Sequence, residues 1–128
     1  MTKTVLDVGN CNPDHSALSR MLLSNYDVQV LRTHELKDTL EILQKEPVHL
    51  VLINRKLDMD YSDGLEILKV LKRDEKWKAI PAMIITNYPE HQEAAVEAGA
   101  EYGFGKLQFA ENATHERLSR YLDKKVTA

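Results

Sequence analysis

The chain has 128 residues, 43% hydrophobic and 29% charged, with a net charge of −3 and one cysteine. That length supports one domain with one core, and the charge leaves no broad basic field for nucleic acid. A lone thiol excludes an internal disulfide, and no apolar run reaches membrane-spanning length. A soluble, cytoplasmic module over 1–128 is therefore expected, with 124–128 as a frayed tail.

Lys3 to Val8 predicts a first strand of buried character, interrupted by Asp7. Gly9 to Asn12 is a loop, Asn12 is the expected cap, and Pro13 suits the first turn of a helix. Leu18, Met21 and Leu22 give that helix its inward stripe. Asp27 to Arg32 alternates and predicts a half-buried strand. Thr33 is the expected cap of a second helix with Leu36, Leu40 and Leu43 inward, ended by Pro47. His49 to Ile53 predicts a strand whose Leu50 to Ile53 are apolar without alternation, as in a strand covered on both faces, and it ends at Asn54. A long polar loop to Asp63, with Ser62 or Asp63 as cap, leads to a third helix carrying Leu65, Leu68 and Leu71. Ile80 to Thr86 predicts a fourth strand. Pro89 opens a fourth helix, which Gly99 ends. Glu101 to Gly105 is a fifth strand weakened by two glycines. Asn112 is the expected cap of a last helix with Leu118, Tyr121 and Leu122 inward.

Strands and helices alternate five times, which predicts a doubly wound, five-stranded parallel sheet of flavodoxin-like order 2-1-3-4-5, helices on both faces. Chemistry in such sheets gathers at the carboxyl ends of the strands. Those ends carry Gly9 to Asn12, Asn54 to Asp63, Thr86 to Tyr88 and Lys106 to Phe109.

In this order, HLVLIN (His49–Asn54), DGLEIL (Asp63–Leu68), IPAMIIT (Ile80–Thr86) and EAGAEYGFGK (Glu97–Lys106) resemble the receiver domain of bacterial two-component response regulators. The resemblance covers essentially the whole chain. It implies an aspartate that accepts a phosphoryl group at the end of the third strand. It also implies two acids after the first strand that help hold Mg²⁺, a Ser or Thr ending the fourth strand and a Lys ending the fifth. Thr86 and Lys106 match their positions. Asn54 stands at the phosphoacceptor, and Gly9 and Asn10 stand at the acidic pair. Leu107 replaces the usual proline after the lysine, and Gly103 replaces the switch aromatic. The loops before Pro13 and before Gly64 are longer than the family's.

Phosphoacceptance needs an ionised oxygen nucleophile, which the amide of Asn54 lacks. Mg²⁺ selects hard anionic oxygens, and three expected carboxylates are absent. One lysine without its acids leaves a positive cleft that repels a divalent cation. The expectation is a non-enzymatic pseudo-receiver with no metal and no cofactor. It would act by protein–protein contact through the fourth helix, fifth strand and fifth helix (Glu90–Ala98, Glu101–Gly105, Thr114–Leu122), with a homodimer as a further arrangement.

Two other readings stay open. Asp58 or Asp60, with Asp7, could form a rearranged phospho-accepting site. Alternatively, the strand ends could bind a small anion beside Lys106. Asp7 is expected to pair with Lys106 or with loop amides, because a buried carboxylate needs a partner. Asp58 to Ser62 fails as a calcium loop, since Gly64 falls one place late and Lys69 stands at the twelfth position. Cys11 has no neighbour in sequence that lowers its pKa and is expected as a plain packed or half-exposed thiol; the five histidines lack metal-ligand spacing and are expected as surface or capping groups. A single glycine after the first strand argues against a dinucleotide or P-loop cradle.

Overall fold

A computed structural model describes residues 1–126. The elements are β1 (Lys3–Val8), α1 (Asn12–Asn25), β2 (Val28–Thr33), α2 (Leu36–Lys45), β3 (Leu50–Asn54), α3 (Gly64–Arg73), β4 (Ala82–Ile85), α4 (Pro89–Glu97), a 3-10 turn (Lys106–Gln108) and α5 (Asn112–Leu118). The strands are parallel in the order β2-β1-β3-β4.

Strand alternation divides the core into two layers. Leu6, Val8, Val51, Ile53 and Ile84 face Leu43 of α2, Leu68 of α3 and Ala95 of α4. Val5, Leu50, Leu52, Met83 and Ile85 face Leu18 and Leu22 of α1 and Leu118 of α5. Leu50 to Ile53 are covered on both faces, which accounts for their unbroken apolar run.

The expected five-stranded sheet is a four-stranded one. Glu101 to Gly105 touches β4 through the Glu101 N–H to Ala82 O bond, 2.8 Å, the Thr86 N–H to Phe104 O bond, 3.1 Å, and a single bridge between Ile85 and Phe104. A buried side chain occupies the gap between them. Gln92 Nε2 donates to Ile84 O at 2.9 Å and to Thr86 O at 3.2 Å, while its Oε1 accepts the Gly103 N–H at 2.8 Å. The glutamine amide thus satisfies the edge groups that a fifth strand would have used. A Cβ at Gly103 would meet Ile84 O at 2.7 Å, so glycine is needed for this approach. The fourth strand is also shorter than expected, starting after Pro81.

Several caps differ from expectation. Asn12 and Asn112 are the first residues of their helices and give no side-chain cap. Thr33 belongs to β2, and its hydroxyl lies 2.8 Å from that of Thr39. The carboxylate of Asp38 instead accepts the N–H groups of His34 and Glu35 before α2. Asp63 does cap α3, accepting the Leu65 N–H at 2.9 Å. The expected frayed tail is tied down in part: Lys125 N–H donates to Asn25 O, and Lys124 bridges Tyr26. Residues 127 and 128 lie outside the described range.

Candidate functional site: the crevice at the strand ends

The ends of β1 and β3 lie side by side, with Val8 paired to Ile53, so Gly9 and Asn54 follow at one level. The Asn54 amide points inward: Nδ2 donates to Lys56 O at 2.7 Å and to Gly9 O at 3.3 Å. Both acceptors are carbonyls, which a carboxylate at this position could not engage. Gly9 has φ of +80°, and a Cβ there would meet Leu57 Cδ2 at 2.5 Å. The buried Leu57 therefore covers the space into which a side chain at position 9 would project. The Asp58 N–H to Gly9 O bond, 3.0 Å, fixes the following loop over this turn.

Asp7 is fully buried; it takes an amide of the loop, as one expectation had it, and His15 in place of Lys106. His15 Nδ1 lies 2.6 Å from its Oδ2, and Asn10 Nδ2 donates to its Oδ1. Asn10 is itself buried, and its Oδ1 has no partner among the described residues. Lys106 reaches a different acid: its Nζ donates to Asp14 Oδ2 at 2.6 Å, in the first turn of α1. That contact holds the Asp14 carboxyl below its usual range against the opposing effect of burial. Cys11 is exposed and donates its thiol hydrogen to the same oxygen. The histidines are more integrated than expected. His49 Nδ1 accepts the Thr4 N–H, and His115 Nε2–H donates to Phe109 O, leaving its Nδ1 to accept from Tyr26 Oη.

Thr86 closes the other side of the crevice. Its hydroxyl oxygen accepts the Tyr88 N–H at 3.3 Å and lies 3.2 Å from His91 Nδ1. The cavity between them measures about 260 Å³, and its lining includes Asn54, Arg55, Lys56, Thr86, His91 and Lys106 but no carboxylate. Asp58 and Asp60 do not reach it. Asp58 faces His34 at 3.2 Å, and Asp60 Oδ1 accepts both the N–H and the hydroxyl of Ser62. The structure therefore brings Asn54, Thr86 and Lys106 together and leaves Asp7, Asp58 and Asp60 in separate contacts.

Mg²⁺, which the fold family implies, does not suit this donor set. Among the described residues no group of three His, Cys, Asp or Glu side chains could hold a metal ion. Carbonyls and the amides of Asn54 and Asn87, beside Arg55, Lys56 and a Lys106 already paired with Asp14, do not replace carboxylates for a hard dication.

The sequence reading missed Gln92, Arg55, Lys56 and Asp14. A glutamine on the inward face of an alanine-rich helix was the available signal for Gln92. Nothing in the local sequence pointed from Lys106 to Asp14. After Lys106, Leu107 is exposed, and no cis peptide bond occurs among the described residues. Beside Gly103, Tyr102 lies under the Arg117 guanidinium, 4.5 Å from ring centroid to Cζ, and Arg117 also donates to Gly103 O.

The model of the response regulator receiver domain matches residues 12–119. No curated protein sequence matches the chain. Among solved structures, a protein from Chloroflexus aurantiacus described as a response regulator is 19% identical, with a TM-score of 0.79, covering 94% of this chain and 97% of its own. The non-phosphorylated receiver domain of the stress response regulator RcsB from Escherichia coli is 16% identical, with a TM-score of 0.75, covering 94% and 93%. The chemotaxis response regulator CheY4 of Vibrio cholerae is 17% identical, with a TM-score of 0.67, covering 94% and 98%. At these identities the likeness is one of fold. With four parallel strands, helices on both faces and a family match over most of its length, this chain belongs to the response regulator receiver domain family.

Proposed function

We propose that this receiver domain transmits a signal by protein contact, without phosphoryl transfer at its strand-three position. The observation that supports this reading is the inward Asn54 amide, hydrogen-bonded to Gly9 O and Lys56 O, in a crevice lined by cations and no carboxylate. A displaced acceptor has less support, because Asp58 and Asp60 are each engaged outside the crevice and Asp7 is buried against His15 and Asn10. The test is incubation with acetyl phosphate and Mg²⁺ followed by intact-mass measurement. The reading expects no added phosphoryl mass. An adduct lost on mutating Asp58 or Asp60 would favour the rearranged receiver instead.

The contact surface in this proposal is the α4 side of the sheet with residues 101–105 and α5. It exposes Tyr88, Val96 and Tyr102, with Arg117 stacked on the last. A homodimer through the same face is the alternative occupant, and sedimentation of Val96→Glu beside the parent chain separates the two. No described helix is long and apolar enough to cross a membrane, and the proposed setting is the cytoplasm.

A second reading, an anion site in the crevice, has one specific observation in its favour. Arg55 and Lys56 line the cavity, and neither has an acidic partner within salt-bridge distance among the described residues. Lys106 contributes less than expected, because Asp14 already neutralises it. Sulfate titration should raise thermal stability, and Arg55→Gln with Lys56→Gln should abolish the rise. No rise in the parent chain would remove this reading.

A further inference from the structure

A groove of about 540 Å³ that shares no lining residue with the crevice runs between α2 and α3. Its floor is apolar. Leu36 and Leu40 of α2 stand one turn apart, Ile67 and Val70 of α3 face them, and Leu57 closes one end. Leu36, Leu40 and Val70 remain only half-buried, so the groove is a cleft without an intramolecular occupant among the described residues. Its lip carries more acid than base: Glu35, Asp60, Asp63 and Glu66, the last within 3.8 Å of Lys69 Nζ, stand against Lys37 and Arg73. Two of these acids are held in place by the chain itself. Asp63 caps α3, and Asp60 is fixed by both donors of Ser62, which also hold its carboxyl below the usual range. Between Asp60 and Ser62, Tyr61 adopts φ of +59° and is 78% exposed, outside the groove's lining.

We propose that this groove docks an amphipathic helix of a partner protein, with apolar residues at i, i+4 spacing set between basic ones. Two facing helical turns form a channel that accepts such a ridge. The acidic lip selects basic flanks and rejects acidic ones. The site lies apart from the α4 face and does not depend on the chemistry at Asn54.

The test uses the whole chain and two synthetic helices of one length, one with leucines flanked by lysines and one with glutamate in place of each lysine. Binding is followed by fluorescence anisotropy and by NMR of the leucine and valine methyl groups. The lysine helix is expected to bind and to shift the methyl signals of Leu36, Leu40 and Val70. The glutamate helix should bind at least about tenfold more weakly. Glu35→Lys combined with Glu66→Lys, both at exposed positions, should weaken the lysine helix by a similar factor with the circular dichroism spectrum unchanged. Three results would overturn the proposal: no binding of the lysine helix, equal affinity for both helices, or methyl shifts confined to α4 and α5. Self-association of the chain that the double variant abolishes would assign the groove to a second copy and overturn it as well.

Discussion

Restoring a carboxylate by Asn54→Asp is the sharpest perturbation of the crevice. In the parent chain Nδ2 of Asn54 donates at 2.7 Å to Lys56 O and at 3.3 Å to Gly9 O. In the variant an oxygen takes the place of that nitrogen and faces both carbonyls. A neutral hydrogen bond contributes about 1 kcal/mol, and an unmatched polar group costs about 1–3 kcal/mol where it is shielded from water. Arg55 and Lys56 offset part of this through attractions worth under about 1 kcal/mol at a half-exposed site. The expected net effect is a loss of about 1–2 kcal/mol, or roughly 3–8 °C in Tm for a domain of this size. Urea denaturation with and without Mg²⁺ measures both consequences. Because Leu57 covers position 9 and Asn10 is an amide, one new carboxylate has no acidic partners for the metal. A site occupied at a hundredfold excess over its Kd would add about 2.7 kcal/mol. The expected change is a few tenths at most. A variant that gains stability, or that Mg²⁺ stabilises by more than about 2 kcal/mol, would refute the assignment of both loops.

Gln92→Leu removes an amide that serves Ile84 O, Thr86 O and the Gly103 N–H, all in buried surroundings. The expected cost is about 2–4 kcal/mol, with faster hydrogen exchange at Gly103. A loss below about 1 kcal/mol would show that residues 101–105 pair with β4 without the glutamine. Gly64→Ala places a Cβ 2.1 Å from Asn54 O and 2.8 Å from Ile53 Cγ2, and a backbone oxygen in a strand cannot retreat. Urea midpoints should report a loss of at least about 2 kcal/mol. Lys106→Met tests the Asp14 contact through pH. The folded Asp14 pKa is depressed, so its contribution is present above the unfolded carboxyl range and lost as pH falls through the lowered folded value. With both side chains about a third exposed, screening keeps the contribution below about 1 kcal/mol. The parent should lose that advantage over the variant between neutral pH and pH ~3. A constant difference across that range would remove the ion pair as its cause.

The sequence by itself determined the groups present at each strand end. Leu50 to Ile53 could be read as a strand covered on both faces, because solvent exclusion leaves a run without polar alternation. The residue closing that run was therefore legible as Asn54, and its chemistry follows from covalent structure alone. Only the tertiary structure decided which partners those groups take. Asp7 turned to His15 and Asn10, while Lys106 took Asp14, 92 positions away. The fifth strand failed for the same reason, since Gln92 reached the edge of β4 from a helix. Apolar burial is non-directional and leaves a periodic trace in sequence. Hydrogen bonds and ion pairs are decided within an ångström, by how distant elements pack.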